Sequence, residues 1–126
     1  MRMPDTILVV EDEVFIRLAA ADHLEDCGFT VLTAENAAKA RALLEGDSQI
    51  DLVFTDVRMP GDMDGIGLAK WIMEHRPDIP VMVASGDAAK DKVMKELCAE
   101  HAFAKPYSFD DLTKRIRQAI AARRLA

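Results

Sequence analysis

The stretch that decides the fold is FTDVRMPG, Phe54 to Gly61. Apolar Leu52-Val53 leads into it, a carboxylate, Asp56, interrupts it, and Pro60-Gly61 turns the chain. Four residues of this kind, bounded by turn signals, read as a buried strand over Leu52 to Thr55. An acid at the end of a buried strand has two readings. It is the solvated edge of a sheet, or it is a reactive group held at the sheet's mouth. The remaining chain decides between them.

Working outward, the same pattern recurs. Thr6 to Val10 reads as a buried strand followed by acidic Glu11-Asp12-Glu13, and a helical pattern runs from Val14 to Cys27, with Phe15, Leu18, Ala19 and Leu24 among its apolar members. Gly28 is placed to end that helix. Thr30 to Thr33 is a second strand, and Asn36 is suited to cap a helix through Ala40, Leu43 and Leu44 that Gly46-Asp47 stops. Beyond Asp56, Ile66 to His75 reads as a helix ended by Arg76-Pro77, and Pro80 to Ala84 as a fourth strand. Ser85-Gly86-Asp87 turns into a helix over Ala88 to Glu100, and Ala102 to Ala104 is a short fifth strand before Lys105-Pro106. Ser108 and Asp111 make a capping-box-like start to a last helix through Leu112, Ile116 and Ile120.

Five strands thus alternate with five helices, without repeats or linkers. Such alternation implies an α/β fold, a doubly wound parallel sheet with helices on both faces. In such folds ligands sit beyond the carboxyl ends of the strands. The polar residues at those ends are Glu11-Asp12, Asp56, Ser85 and Lys105. Three carboxylates brought to one edge repel one another and keep a proton unless a cation intervenes. Oxygen-rich sites with room for water suit Mg²⁺, above all when phosphate completes the shell. Lys105 adds positive charge, Ser85 a hydroxyl, and Gly86 open space. Cation, ammonium and hydroxyl together receive a phosphoryl group, and a central carboxylate serves as its nucleophile. Each piece alone has a bland reading as a helix-start charge, a turn or a loop; their convergence on four strand ends is specific.

These motifs, Val-Val-Glu11-Asp12, Asp56-x-x-Met59-Pro60, Asp64-Gly65, Ser85-Gly86 and Lys105-Pro106, give the chain a clear resemblance: it resembles a response-regulator receiver domain of two-component signalling, of single-domain type, over nearly its whole length, 1–126. The resemblance implies a flavodoxin-like five-stranded sheet of order 2-1-3-4-5. It implies that Asp56 accepts phosphate from a sensor histidine kinase or histidine phosphotransfer protein. Asp12 and Asp56 would ligate Mg²⁺ with the backbone carbonyl of Arg58, and Glu11 would act through metal-bound water. Ser85 and Lys105 would bind the phosphoryl oxygens.

Three departures from the family pattern stand out. Gly61-Asp62 puts two residues, where one is usual, between Pro60 and Met63-Asp64-Gly65. A calcium-loop reading of that stretch fails in register, with Pro60 at the first ligand position and Trp71 at the last, which leaves a turn cluster. The usual switch-aromatic position holds Ala102, with Phe103 one residue later. One step along a strand flips the side chain, so Phe103 is either core or a displaced switch aromatic. Arg58 and Asp87, each two residues beyond a site residue, either pair at the surface or partly cover the phosphoryl pocket and slow water attack.

Composition is consistent with this. The chain has 126 residues, half hydrophobic and 30% charged, which suits one globular domain. Its net charge of −6 argues against direct DNA binding. The cations Lys114, Arg115, Arg117, Arg123 and Arg124 read as a solvated helix end or a partner face. No apolar run approaches a membrane span, no signal-peptide stretch opens the chain, and Cys27 and Cys98 lack metal spacing, so the expectation is a cytoplasmic protein with reduced thiols. His23, His75 and His101 lie away from the motifs, and Trp71 and the Met residues suit packing. The expectation is a receiver domain that stands alone or is excised from a longer protein; with no output domain after Ala126, the message would pass by protein contact to a downstream target, through the surface of the 88–100 helix, the fifth strand and the last helix, where a homodimer would also form. Two other classes stay open. A small Mg²⁺-dependent phosphohydrolase with an aspartyl nucleophile would need a cap or pocket that no insertion supplies. A phosphorylation-independent interaction module would not need Glu11, Asp12, Asp56, Ser85 and Lys105.

Overall fold

The computed structural model describes residues 4–46, 49–86 and 102–125, without the side chains of 85 and 102–104. In chain order the elements are β1 (Thr6–Val10), α1 (Val14–Asp26), β2 (Thr30–Ala34), α2 (Ala37–Glu45), β3 (Leu52–Asp56), α3 (Gly65–His75), β4 (Val81–Ser85), β5 (Ala102–Ala104) and α4 (Phe109–Leu125). The expected helix over Ala88 to Glu100 lies outside the described residues, as do Asp87, Cys98 and His101.

The strands form one parallel sheet of order β2-β1-β3-β4-β5. The apolar runs of β1, β3 and β4 are buried on both sides, as inner parallel strands require, whereas edge strand β2 is largely exposed or half-buried. Alternate residues feed two cores. Leu8, Val10, Val53, Val81 and Val83 face Ala37, Ala40 and Leu44 of α2 and Ile66, Ala69 and Ile72 of α3. Ile7, Val9, Leu52, Phe54, Met82 and Ala84 face Ala20 and Leu24 of α1 and Leu112, Ile116 and Ile120 of α4. Burying one such Leu or Ile side chain contributes ~1.5–3 kcal/mol, so the two cores, rather than helix propensity, hold the helices in place.

The caps follow the sequence. Asn36 Oδ1 accepts from the Lys39 amide at 2.8 Å, Ser108 Oγ from the Asp111 amide at 3.0 Å, and Gly28 closes α1 at φ +97°. Asp64 adds a further cap, accepting from the Gly67 amide at 2.8 Å.

Several boundaries shift by one residue: α1 ends at Asp26, α3 starts at Gly65 and β4 starts at Val81. β2, β3 and β4 each run one residue past the expected end, to Ala34, Asp56 and Ser85. Ladder pairing extends that far: Val10 pairs with Ala34, Asp56 with Ala84, and Ser85 with Ala104. Asp56 is therefore the last residue of its strand, not the first of the loop.

The apolar pattern of α1 does not map onto its buried face. Its buried residues are Ala20, Ala21 and Leu24, whereas Phe15 is 77% and Leu18 52% exposed and Ala19 is also exposed. Trp71 packs at the edge of the first core, with the Arg41 guanidinium 4.7 Å above its ring and His75 stacked on it. Arg117, Arg123 and Arg124, among the terminal cations, are tied into the fold. Arg117 donates to the Cys27 carbonyl at 2.8 Å, Arg123 to the Asp51 carbonyl at 2.9 Å, and Arg124 pairs with Asp5.

Candidate functional site

The ends of β1 and β3 lie side by side, because Val10 pairs with Thr55. The residues that follow, Glu11, Asp12 and Asp56, bring carboxylate oxygens within 4.8 Å of one another. No other group of three metal-ligating side chains comes this close among the described residues. Their environments differ. Glu11 is buried, Asp12 exposed, and the Asp56 side chain 14% exposed.

Lys105, just beyond β5, reaches across to the cluster, its Nζ donating to Asp56 Oδ1 at 2.9 Å. The same oxygen accepts from the Val57 amide at 2.9 Å. The Val57 amide also bonds the Ala84 carbonyl, which ties the turn after Asp56 to the end of β4. One lysine does not neutralise three acids. Burial, the neighbouring charge of Asp56 and a hydrogen bond to Asp56 push Glu11 up to about 7, against a smaller downward pull from Lys105. A carboxylate buried beside a like charge keeps its proton, and a cation bound nearby would favour its ionised form. The donor set is all oxygen, which fits a hard divalent ion of the Mg²⁺ class.

Several residues outside the motifs shape the site. Arg17, at the end of the first turn of α1, donates to the Glu11 carbonyl at 2.7 Å and the Asp12 carbonyl at 3.5 Å, pinning the acidic loop. Gly65 crosses the backbone of the Asp56 turn so closely that a Cβ there would lie 1.8 Å from the Asp56 carbonyl oxygen. Its amide bonds the Val57 carbonyl at 2.8 Å. Asp64-Gly65 stood among the sequence motifs; what the fold adds is the reason that only glycine fits. Tyr107 lines a narrow cleft with Glu11, Asp56 and Lys105. Burial and the charges of Glu11 and then Asp56 push its phenol up to about 12. A polar aromatic two residues after a site lysine was the available signal for it.

The other expected residues divide. Ser85 ends β4 beside this edge and Phe103 pairs with Ala84 in register, but their side chains lie outside the described ones. Arg58 is exposed in the turn, and Asp87 lies outside the described residues. Cys27 is a free, half-buried thiol at the end of α1. No helix among the described residues is long and apolar enough to cross a membrane.

Comparison with known proteins agrees with this geometry. The family model of the response regulator receiver domain matches residues 7–117. The C4-dicarboxylate transport transcriptional regulatory protein DctD of Rhizobium meliloti is 32% identical over 127 residues, covering 99% of this chain and 27% of its own length. The phosphate regulon transcriptional regulatory protein PhoB of Pseudomonas aeruginosa is 34% identical, covering 89% of this chain and 50% of its own. The chain therefore spans about a quarter to a half of these relatives. A response regulator receiver protein of Sinorhizobium medicae, known by crystal structure, superposes with a TM-score of 0.86 at 31% identity, over 95% of this chain and 97% of that one.

Proposed function

Because the chain belongs to the response-regulator receiver family, a phosphoacceptor class of two-component signalling, we propose that Asp56 is its phosphoacceptor and that residues 1–126 act as one receiver domain, with a fifth helix over 88–100 completing the alternation. The observation that carries this is the Glu11–Asp12–Asp56 cluster faced by Lys105 Nζ at 2.9 Å from Asp56 Oδ1. In the step itself, an Asp56 carboxylate oxygen attacks the phosphorus of a phosphohistidine. The O–P bond forms, the N–P bond breaks, and the imidazole nitrogen leaves with its electron pair and takes up a proton.

Glu11, Asp12 and Asp56, with the Arg58 carbonyl, would hold Mg²⁺, whose positive charge screens the carboxylates from the incoming phosphoryl oxygens. Lys105 contributes a fixed ammonium to the same oxygens. Ser85 is assigned the hydroxyl contact that reports phosphorylation. Arg58 and Asp87 are assigned a partial cover that slows hydrolysis; an unchanged phospho-Asp56 lifetime in Arg58→Ala would remove that role.

The partner class is a sensor histidine kinase or histidine phosphotransfer protein. Exposed Val14, Phe15 and Leu18 on α1, beside the acidic loop, support an apolar docking face for it. Output passes by protein contact to a downstream target in the cytoplasm, with no DNA contact assigned to this stretch. The test is incubation with acetyl phosphate and Mg²⁺, then intact-mass detection of an acid-labile adduct. Asp56→Asn should abolish the adduct. Catalytic turnover of a small phosphate ester would instead support a phosphohydrolase, and no adduct in the unaltered chain would support a phosphorylation-independent module.

A further inference from the structure

We propose that Tyr107 is a positioning residue that couples charge at Asp56 to the seam between α1 and α4. This deepens the phosphoacceptor reading and rests on it. Tyr107 stands between two spaces. On one side is the cleft it lines with Glu11, Asp56 and Lys105. On the other is an open groove bordered by Ile16, Gly86, Lys105, Pro106 and Phe109. Its ring meets Phe54 of β3 edge-on, with centroids 5.7 Å apart at 86°. It also meets Phe109, the first residue of α4, at 6.4 Å. Phe109 in turn stacks on His23 at 5.3 Å. Ring contacts thus run from the acidic site to the last turn of α1, where His23 Nε2 lies 3.7 Å from Asp110 of α4.

The residue suits this place because its two ends differ. The ring belongs with the second core, while the hydroxyl is a polar handle that gains from an acceptor when half-buried. At neutral pH the phenol keeps its proton, and the residue borders the cleft that holds Glu11 and Asp56. Phosphorylation turns a single carboxylate charge into an acyl phosphate that carries more charge and more acceptor oxygens. A donor bordering the same cleft interacts more strongly with that state, and such a differential interaction is what a population shift requires. A displaced Tyr107 ring presses on Phe109, and Phe109 on His23. The usual switch position cannot do this, because Ala102 carries neither ring nor hydroxyl.

The chain has one tyrosine, so 3-fluorotyrosine labelling reports a single site. Fluorine spectra of the full chain would be recorded before and after acetyl phosphate with Mg²⁺, and the His23 ring carbon–proton signal followed in the same samples, assigned with His23→Gln. Tyr107→Phe keeps the ring and removes only the hydroxyl. The expected result is that both signals move on phosphorylation in the unaltered chain. In Tyr107→Phe the His23 movement should fall at least threefold while the phosphate adduct still forms. Equal His23 movement in the two proteins overturns the coupling, as does a fluorine resonance that ignores phosphorylation. Absence of the adduct by intact mass in the unaltered chain overturns the phosphoacceptor reading itself, and the coupling with it.

Discussion

Removing the charge of Glu11 should stabilise the metal-free protein at neutral pH. The native carboxyl, buried and beside Asp56, is raised from 4.5 to about 7. Between those values the native chain holds a proton that the unfolded chain has released. Stability therefore falls as pH rises through that window, and for this group it is level below and above it. A pKa raised from 4.5 to about 7 corresponds to a loss of ~3 kcal/mol between pH 4.5 and pH 7.5, an upper figure because Glu11 and Asp56 share the interaction. Urea unfolding at pH 5.0 and 7.5, with chelator present, measures it. The unaltered chain should lose stability across the interval relative to Glu11→Gln, whose amide carries no charge to lose. Mg²⁺ should reverse the effect. At a hundredfold excess over its Kd a native-state ligand adds ~2.7 kcal/mol, and the gain should be larger at pH 7.5 than at 5.0, since only the ionised carboxyl attracts the cation and its bound water. If Glu11→Gln shows the same pH slope as the unaltered chain, Glu11 is not the titrating group and the account of charge crowding in the cluster is wrong.

Other perturbations have equally direct readouts. Gly65→Ala places a Cβ 1.8 Å from the Asp56 carbonyl oxygen; the turn must shift, at ~2–3 kcal/mol, which thermal melting would register as a Tm lower by ~10 °C. Arg17→Ala removes the 2.7 Å bond to the Glu11 carbonyl; Mg²⁺ affinity by calorimetry should weaken about tenfold, in the range of lost supporting contacts to metal sites, with the fold retained by circular dichroism. Lys105→Met removes the ammonium 2.9 Å from Asp56; labelling by acetyl phosphate should slow by at least tenfold, on the order of the loss of one preorganised charge contact, while Mg²⁺ affinity stays equal or rises.

Local chemistry made much of this protein legible. The five apolar runs, the alternation with helical periods, the Asn36 and Ser108 caps and the acids and lysine at strand ends are all patterns within a few residues of one another. Because a parallel sheet gathers its strand ends at one edge, the strand pattern by itself brings Glu11, Asp12, Asp56 and Lys105 together. The apolar period of α1 was a poorer guide. It records that Phe15 and Leu18 are apolar, not that the sheet receives the other face of the helix, through Ala20 and Leu24.

What the tertiary structure alone decided are contacts between groups whose meeting no period encodes. Arg17 could have faced solvent, and it instead ties down the Glu11 carbonyl because α1 turns back over its own entry loop. Gly65 is obligatory because the start of α3 passes within contact of the Asp56 backbone. Tyr107 joins Glu11 and Asp56 only because β5 delivers it to the same edge as β1 and β3. Sequence determines which residues carry charge, ring or hydroxyl and which strand ends present them. Which of them touch depends on packing angles and crossing distances set by the whole sheet, and those belong to the fold.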